Sequence, residues 1–259
     1  MPVTFPAHQA LVLPLKVWRP RLFDGTALCV GAAAPDLAYP LGAWLGGQSH
    51  TAIGLAVWAI PATLLVCAAM RWRVAAGLFA QLPDAGPLRL RSYRALGQRR
   101  PALVVTAVSA LVGSVSHVVV DGFTHEGRWG AAWLGLDQVM GEVPIRGEVT
   151  AARALQYVGH LGGSVAGVAL FIHVGRRRLM ERWYGDEAVA VARRAVVSHH
   201  HRLAFWCVGL LPPLVAALGM SSRAGNPAFV MITATVVGLL GASALPLYEQ
   251  QGGDVEAKD

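Results

Sequence analysis

Residues 102–122 read ALVVTAVSALVGSVSHVVVDG, an apolar run whose only ionisable side chains are His117 and Asp121. A helix of about 20 apolar residues crosses the roughly 30 Å hydrocarbon core of a bilayer, so this stretch predicts a transmembrane helix. An ionisable side chain near mid-bilayer costs about 2.5–3.5 kcal/mol on insertion scales. His117 and Asp121 therefore call for a partner or a function. One run of sequence sets both the fold class and the place to look for chemistry.

Four further stretches have the same character: 50–70, 154–175, 203–220 and 228–248. A sixth, 26–48, is long enough but carries Pro35-Asp36 at its middle and is expected to break there. The run 7–18 is too short to span alone. The fold class is thus all-α, a polytopic transmembrane helical bundle of about six spans, five clear and one broken. A single integral-membrane domain is expected over 1–248, with a short acidic tail at 249–259. Composition agrees: 54% hydrophobic, 14% charged and a mean hydropathy of +0.47, against about 25% charged residues in soluble domains. That excludes a disordered chain and a small disulfide scaffold. Cys29, Cys67 and Cys207 are far apart in apolar runs and read as small buried hydrophobes rather than a thiolate metal site.

The net charge of +7 comes from 20 arginines and two lysines, Lys16 and Lys258. In a membrane chain this excess reports orientation and implies no nucleic-acid partner. Loop 71–101 holds seven arginines against Asp84, and loop 176–202 holds seven against three acids. Segment 123–153 instead has Arg128, Arg146 and Arg153 against Glu126, Asp137, Glu142 and Glu148. Basic loops stay in the cytoplasm, so 71–101 and 176–202 are predicted inside and 123–153 outside a cell membrane. Alternation then puts 221–227 outside and the tail inside. If 26–48 crosses once, the N-terminus is inside too. The loop arginines are read as topology markers that meet anionic lipid, and 186–197 as a short amphipathic helix. His199-His200-His201 resembles a metal tract but lies on the inner side, away from other polar residues, and is not expected to bind metal.

The segment GSVSHVVVDGFTHEG (113–127) is the richest in polar groups. His117, Asp121 and His125 are spaced four and four, so on a helix they share a face. An i,i+4 His/Asp pair brings two ligand tips to one point and suits zinc or another first-row metal. On a straight helix His117 and His125 would lie about 12 Å apart, too far for one ion. Either the helix breaks at Gly122, or Asp121 bridges two ions, or His125 is a supporting or catalytic group. His50 opens its span at the predicted outer end. Asp36, after Pro35, sits where a broken helix can present a carboxylate to a cavity. His160 reads as interfacial and His173 as structural. His8 reaches this layer only if residues 5–18 dip into the membrane or 26–48 fails to span.

The stretches MPVTFPAHQALVLPL (1–15), GAAAPDLAYPL (31–41), SHTAIGLAVWAIP (49–61) and VGSVSHVVVDGFTHEG (112–127) together resemble a family of bacterial multi-pass membrane proteins, domain of unknown function 4184. The likeness runs from Met1 to about residue 175. The same motifs are similar to those of membrane-bound metal-dependent hydrolases, and His117-x3-Asp121 is similar to an element of zinc-dependent phospholipases C. The resemblance implies one site made of His8, Asp36, His50, His117, Asp121 and His125, and hence a re-entrant or tilted N-terminal segment.

These residues predict a divalent metal, zinc or alternatively manganese, at the outer face. Metal-bound water would be the nucleophile, and Glu126 or His125 the general base. Membrane lipid surrounds such a site, and a lipid-linked or phosphoester substrate fits it. Two other classes stay open: a proton- or cation-coupled transporter using Asp36, His117 and Asp121 as a relay, and a non-catalytic scaffold with a structural metal.

Overall fold

The computed structural model describes residues 6–84, 86–98, 100–144, 147–194, 197–219 and 227–245. The protein is an all-α membrane bundle with one small two-stranded sheet. Four helices are long and apolar enough to cross a membrane: Ala52–Gln81, Leu103–Thr124, Ala151–Arg176 and His199–Leu218. They match four of the five clear spans read from the sequence. The fifth forms the shorter helix Pro227–Ser243. Its predicted end at 246–248, most of the turn 221–227 and the tail 249–259 lie outside the described residues. The chain packs as two compact units, Met1–Cys67 with Pro101–Ile172, and Ala68–Arg100 with His173–Asp259.

In the first unit, α1 (Ala7–Trp18) and α2 (Gly25–Gly31) form a tight pair. Buried Lys16 closes their turn, its Nζ donating to the Pro20 and Phe23 carbonyls at 2.6 and 3.0 Å. Asp24 caps α2 by accepting from the Thr26 and Ala27 amides, which satisfies orphan donors of the first turn. Beyond α2 the expected break is present. A 3-10 turn, Asp36–Leu41, leads into the short α3 (Ala43–Gln48) and then into α4 (Ala52–Gln81). Residues 26–48 therefore do not cross as one helix.

The principal partner of this pair is α5 (Leu103–Thr124). His8 lies against His117 and Asp121; Asp24 bonds Ser109 and Thr106; Ala32 returns to His117. Thr106 to His117 is about 17 Å of helix at 1.5 Å per residue, roughly half the hydrocarbon core. The N-terminal segment thus runs along α5 and comes back, which brings His8 to the polar layer. Small residues allow the close approach. A Cβ on Gly113 would sit 2.5 Å from the Leu28 carbonyl oxygen, and one on Gly31 2.5 Å from that of Ala110. Val12, Leu28 and Ala32 close the apolar core beside them with Val112.

The helix does not break at Gly122. It runs to Thr124, and Gly122 instead makes room for the Trp129 indole, which would lie 2.7 Å from an added Cβ. A short helix, Trp129–Trp133, and an antiparallel hairpin of β1 (Val139–Val143) and β2 (Gly147–Thr150) lead into α6 (Ala151–Arg176). None of the three cysteines is in a disulfide; Cys67 is buried, but Cys207 is exposed on an apolar helix rather than buried as expected, since a small apolar side chain suits a lipid-facing surface.

The second unit holds α7 (Leu179–Tyr184), α8 (Asp186–Arg194), α9 (His199–Gly219) and α10 (Pro227–Ser243). Here several loop arginines do more than mark topology. Arg94 is buried and donates to the Ala192 and Ala76 carbonyls at 2.6 and 3.3 Å. Arg193 pairs with Asp84, and Arg89 with Glu181. Composition reveals the excess charge, not which members of it are folded inward.

Gly113→Val is expected to lower stability by about 1–3 kcal/mol or more through overpacking, read as a fall in Tm in detergent. Gly241→Ala, with nothing within 4 Å of the added Cβ, should leave Tm unchanged or slightly raised.

Candidate metal centre

Two short helices end at the polar layer, and their terminal carbonyls orient the imidazoles. The last carbonyls of a helix lack intrahelical partners. His117 Nδ1 lies 2.8 Å from the Ala32 carbonyl oxygen just past α2, and His50 Nδ1 lies 2.8 Å from that of Gly46 in α3. A carbonyl only accepts, so in each ring Nδ1 carries a proton and Nε2 is the nitrogen left to face the carboxylates. Ser49 steadies the second arrangement: its Oγ is 2.7 Å from both the Pro35 and Gly46 carbonyl oxygens and 3.1 Å from His50 Nδ1. Asp36 begins the turn that Pro35 introduces. Asp121 stands one helical turn after His117 on the buried face of α5.

The two free Nε2 atoms and the two carboxylates converge. His117 Nε2 is 3.3 Å from Asp121 Oδ2 and 3.5 Å from Asp36 Oδ1. His50 Nε2 is 3.4 Å from Asp36 Oδ1 and 3.7 Å from Asp121 Oδ2. One ligand atom from each of the four residues lies within 4.8 Å of the others. These separations are long for hydrogen bonds, which favour 2.7–3.2 Å. They are close to the edge of a tetrahedron whose centre lies about 2.0–2.1 Å from each corner, roughly 3.3 Å. His117 Nε2, His50 Nε2 and Asp121 Oδ1 are buried without a hydrogen-bond partner. Such a cluster can hold a metal ion. Burial tends to raise the Asp36 carboxyl, but the His117 and His50 rings beside it hold it below the usual carboxylate range.

Around this core the structure adds three histidines. His8 stacks on His117 with ring centres 4.3 Å apart, and its Nε2 faces Asp121 Oδ1 at 3.7 Å. Burial, reinforced by the facing His117 ring, pushes the His8 imidazole down to about 4, so it is neutral near pH 7. His125, the first residue past α5, turns its Nδ1 back to Asp121 Oδ1 at 3.6 Å and its Nε2 to the Gln156 amide at 2.7 Å. His160, read from sequence as interfacial, lies 6.1 Å from the His8 ring. A lone histidine in a Gly-rich span carries no signal for this; only the packing of α6 on α1 reveals it. Glu126 is placed differently, bonded to Thr150 and paired with Arg153. Beside His8 opens an apolar cavity of about 450 Å3, walled by Leu11, Val120, Gln156, His160 and Ala166.

A family model described as Domain of unknown function (DUF4184) matches residues 1–245, and the chain belongs to that family. No curated protein and no solved structure matches it.

Groups that orient a metal-binding imidazole typically account for 10- to 100-fold in affinity. Ser49→Ala should therefore weaken divalent-metal affinity by about that factor in a competition titration with a chelator, with helix content by circular dichroism unchanged.

Proposed function

We propose that this member of the DUF4184 family is an integral-membrane, metal-dependent hydrolase acting on a lipid-linked or phosphoester substrate at the outer membrane face. The observation that carries the reading is the set of half-buried Asp36 with buried His50, His117 and Asp121, its His–Asp separations 3.3–3.7 Å, beside an apolar cavity. A His2Asp2 donor set suits zinc or manganese. When bound, such an ion polarises a phosphoryl oxygen and lowers the pKa of a bound water.

The protein's own groups divide the remaining work. Asp36, His50, His117 and Asp121 supply the ligand atoms, and the cavity receives the apolar chain of the substrate. His125 is the better-placed proton carrier, because it borders Asp121 and is held by Gln156; Glu126 is engaged by Arg153 and Thr150. In the hydrolysis one bond forms from the water oxygen to phosphorus and the phosphorus–oxygen bond to the lipid alcohol breaks. His125 takes the water proton and returns it to the departing alcohol oxygen.

Chelator-treated protein should lose hydrolysis of a lipid phosphoester in detergent micelles and regain it with zinc or manganese. Asp121→Asn should lower the rate at least about 1,000-fold, the scale of losing a metal-activated nucleophile. Thermal stability indifferent to added metal, together with no turnover, would sink the proposal; gradient-driven flux in proteoliposomes lost in Asp121→Asn would favour a transporter.

The outer-face assignment rests on the arginine distribution. In a cysteine-free background, Asp137→Cys should react with a membrane-impermeant maleimide in intact cells, and Arg178→Cys only after permeabilisation. The reverse pattern would place the cluster on the cytoplasmic side.

A further inference from the structure

We infer that Asp121 bridges two divalent ions, the second held through its Oδ1 by His8 and His125; this rests on the metal reading of the first four ligands. The two oxygens of Asp121 face different partners. Oδ2 points to His117 and His50 at 3.3 and 3.7 Å. Oδ1 points to His8 Nε2 and His125 Nδ1 at 3.7 and 3.6 Å. Both of the latter separations exceed a hydrogen bond and suit two donors on either side of a cation. Asp121 Oδ1 is buried and has no hydrogen-bond partner, and His8 is only 3% exposed. A carboxylate oxygen left bare between two imidazoles in an apolar bundle is costly, and a cation there removes the cost.

The neighbouring groups are consistent with this. The Gln156 Nε2 lies 2.7 Å from His125 Nε2, so ligation through Nδ1 requires this amide to turn and present its oxygen as acceptor for an Nε2 proton. As a ligand of the second ion His125 no longer serves as the proton carrier, and its position explains the spacing of the motif. Helical rise forbids one ion for both His117 and His125, whereas two ions sharing Asp121 use all three residues. The second position has three protein ligands and adjoins the cavity that His8, Thr124, Gln156 and His160 line. Three ligands with open coordination are the pattern of catalytic rather than structural sites.

Charge then narrows the substrate class. One divalent ion balances the two carboxylates of Asp36 and Asp121 with neutral imidazoles. A second leaves an excess of two positive charges in a low-dielectric site, which a hydroxide and an anionic headgroup neutralise. A phosphoester brings that negative charge in its ground state, which a neutral carboxylic ester or amide does not. Paired ions also clamp the attacking and leaving oxygens of an in-line displacement.

The test uses the full chain in detergent, stripped with chelator and reloaded with manganese(II). Two ions per chain by elemental analysis and an exchange-coupled electron paramagnetic resonance spectrum are expected. His8→Ala and His125→Ala should each fall to one ion per chain with an uncoupled six-line spectrum. One ion per chain in the wild type, or two ions that stay uncoupled, overturns the bridge while leaving the four-ligand centre standing. A second ion that persists in both variants also overturns it. No bound manganese or zinc removes the bridge and the metal reading together. The wild-type spectrum decides the question even if a variant fails to fold.

Discussion

The arrangement depends on one electrostatic constraint: two carboxylates, half-buried Asp36 and buried Asp121, lie near one another in an apolar helical environment. Their ligand oxygens lie within 4.8 Å, where like charges repel by about 3 kcal/mol at an effective dielectric of 20. Removing each charge from water costs several kcal/mol more. Against a typical folding stability of about 5–15 kcal/mol, that is a large fraction to leave uncompensated. The surrounding imidazoles face the carboxylates through Nε2 atoms too distant for good hydrogen bonds. A cation at the centre relieves the repulsion and satisfies the bare nitrogens at once.

The rest of the first unit can be understood as the means of holding those groups still. Gly31 and Gly113 let α2 lie against α5 closely enough for Ser114 Oγ to reach the Gly31 carbonyl at 3.0 Å. That contact delivers the Ala32 carbonyl to His117. The Pro35 turn and α3 perform the same service for His50 through Gly46 and Ser49. Trp58 donates to the Ala34 carbonyl at 2.9 Å, tying α4 to the same turn. In each case an unsatisfied backbone carbonyl at a helix end is paired with an imidazole. One bond therefore removes a buried polar defect and selects the tautomer that leaves Nε2 free to ligate.

Much of the fold was legible because membrane insertion leaves a coarse signature. Apolar length predicted four of the long helices, and Pro35-Asp36 correctly marked where 26–48 breaks. Charged and imidazole side chains in apolar runs identified His117, Asp121, Asp36 and His50. The role of Gly122 was not legible, because a glycine that admits a tryptophan ring looks like one that breaks a helix. Nor were the inward bonds of Arg94, since an arginine in a basic loop has the same composition whether it meets lipid or backbone carbonyls.

What the sequence determined by itself was which residues are too polar for their surroundings, because transfer free energy depends on residue type and run length alone. Tertiary structure decided which of them meet. His8 lies 113 positions before Asp121, and His160 looked interfacial; both join the polar layer because a half-length helical pair folds back along α5 and α6 packs beside it. Which oxygen of Asp121 faces which imidazole is a matter of fractions of an ångström. Helix crossings and carbonyl contacts set that scale, and no local pattern encodes it.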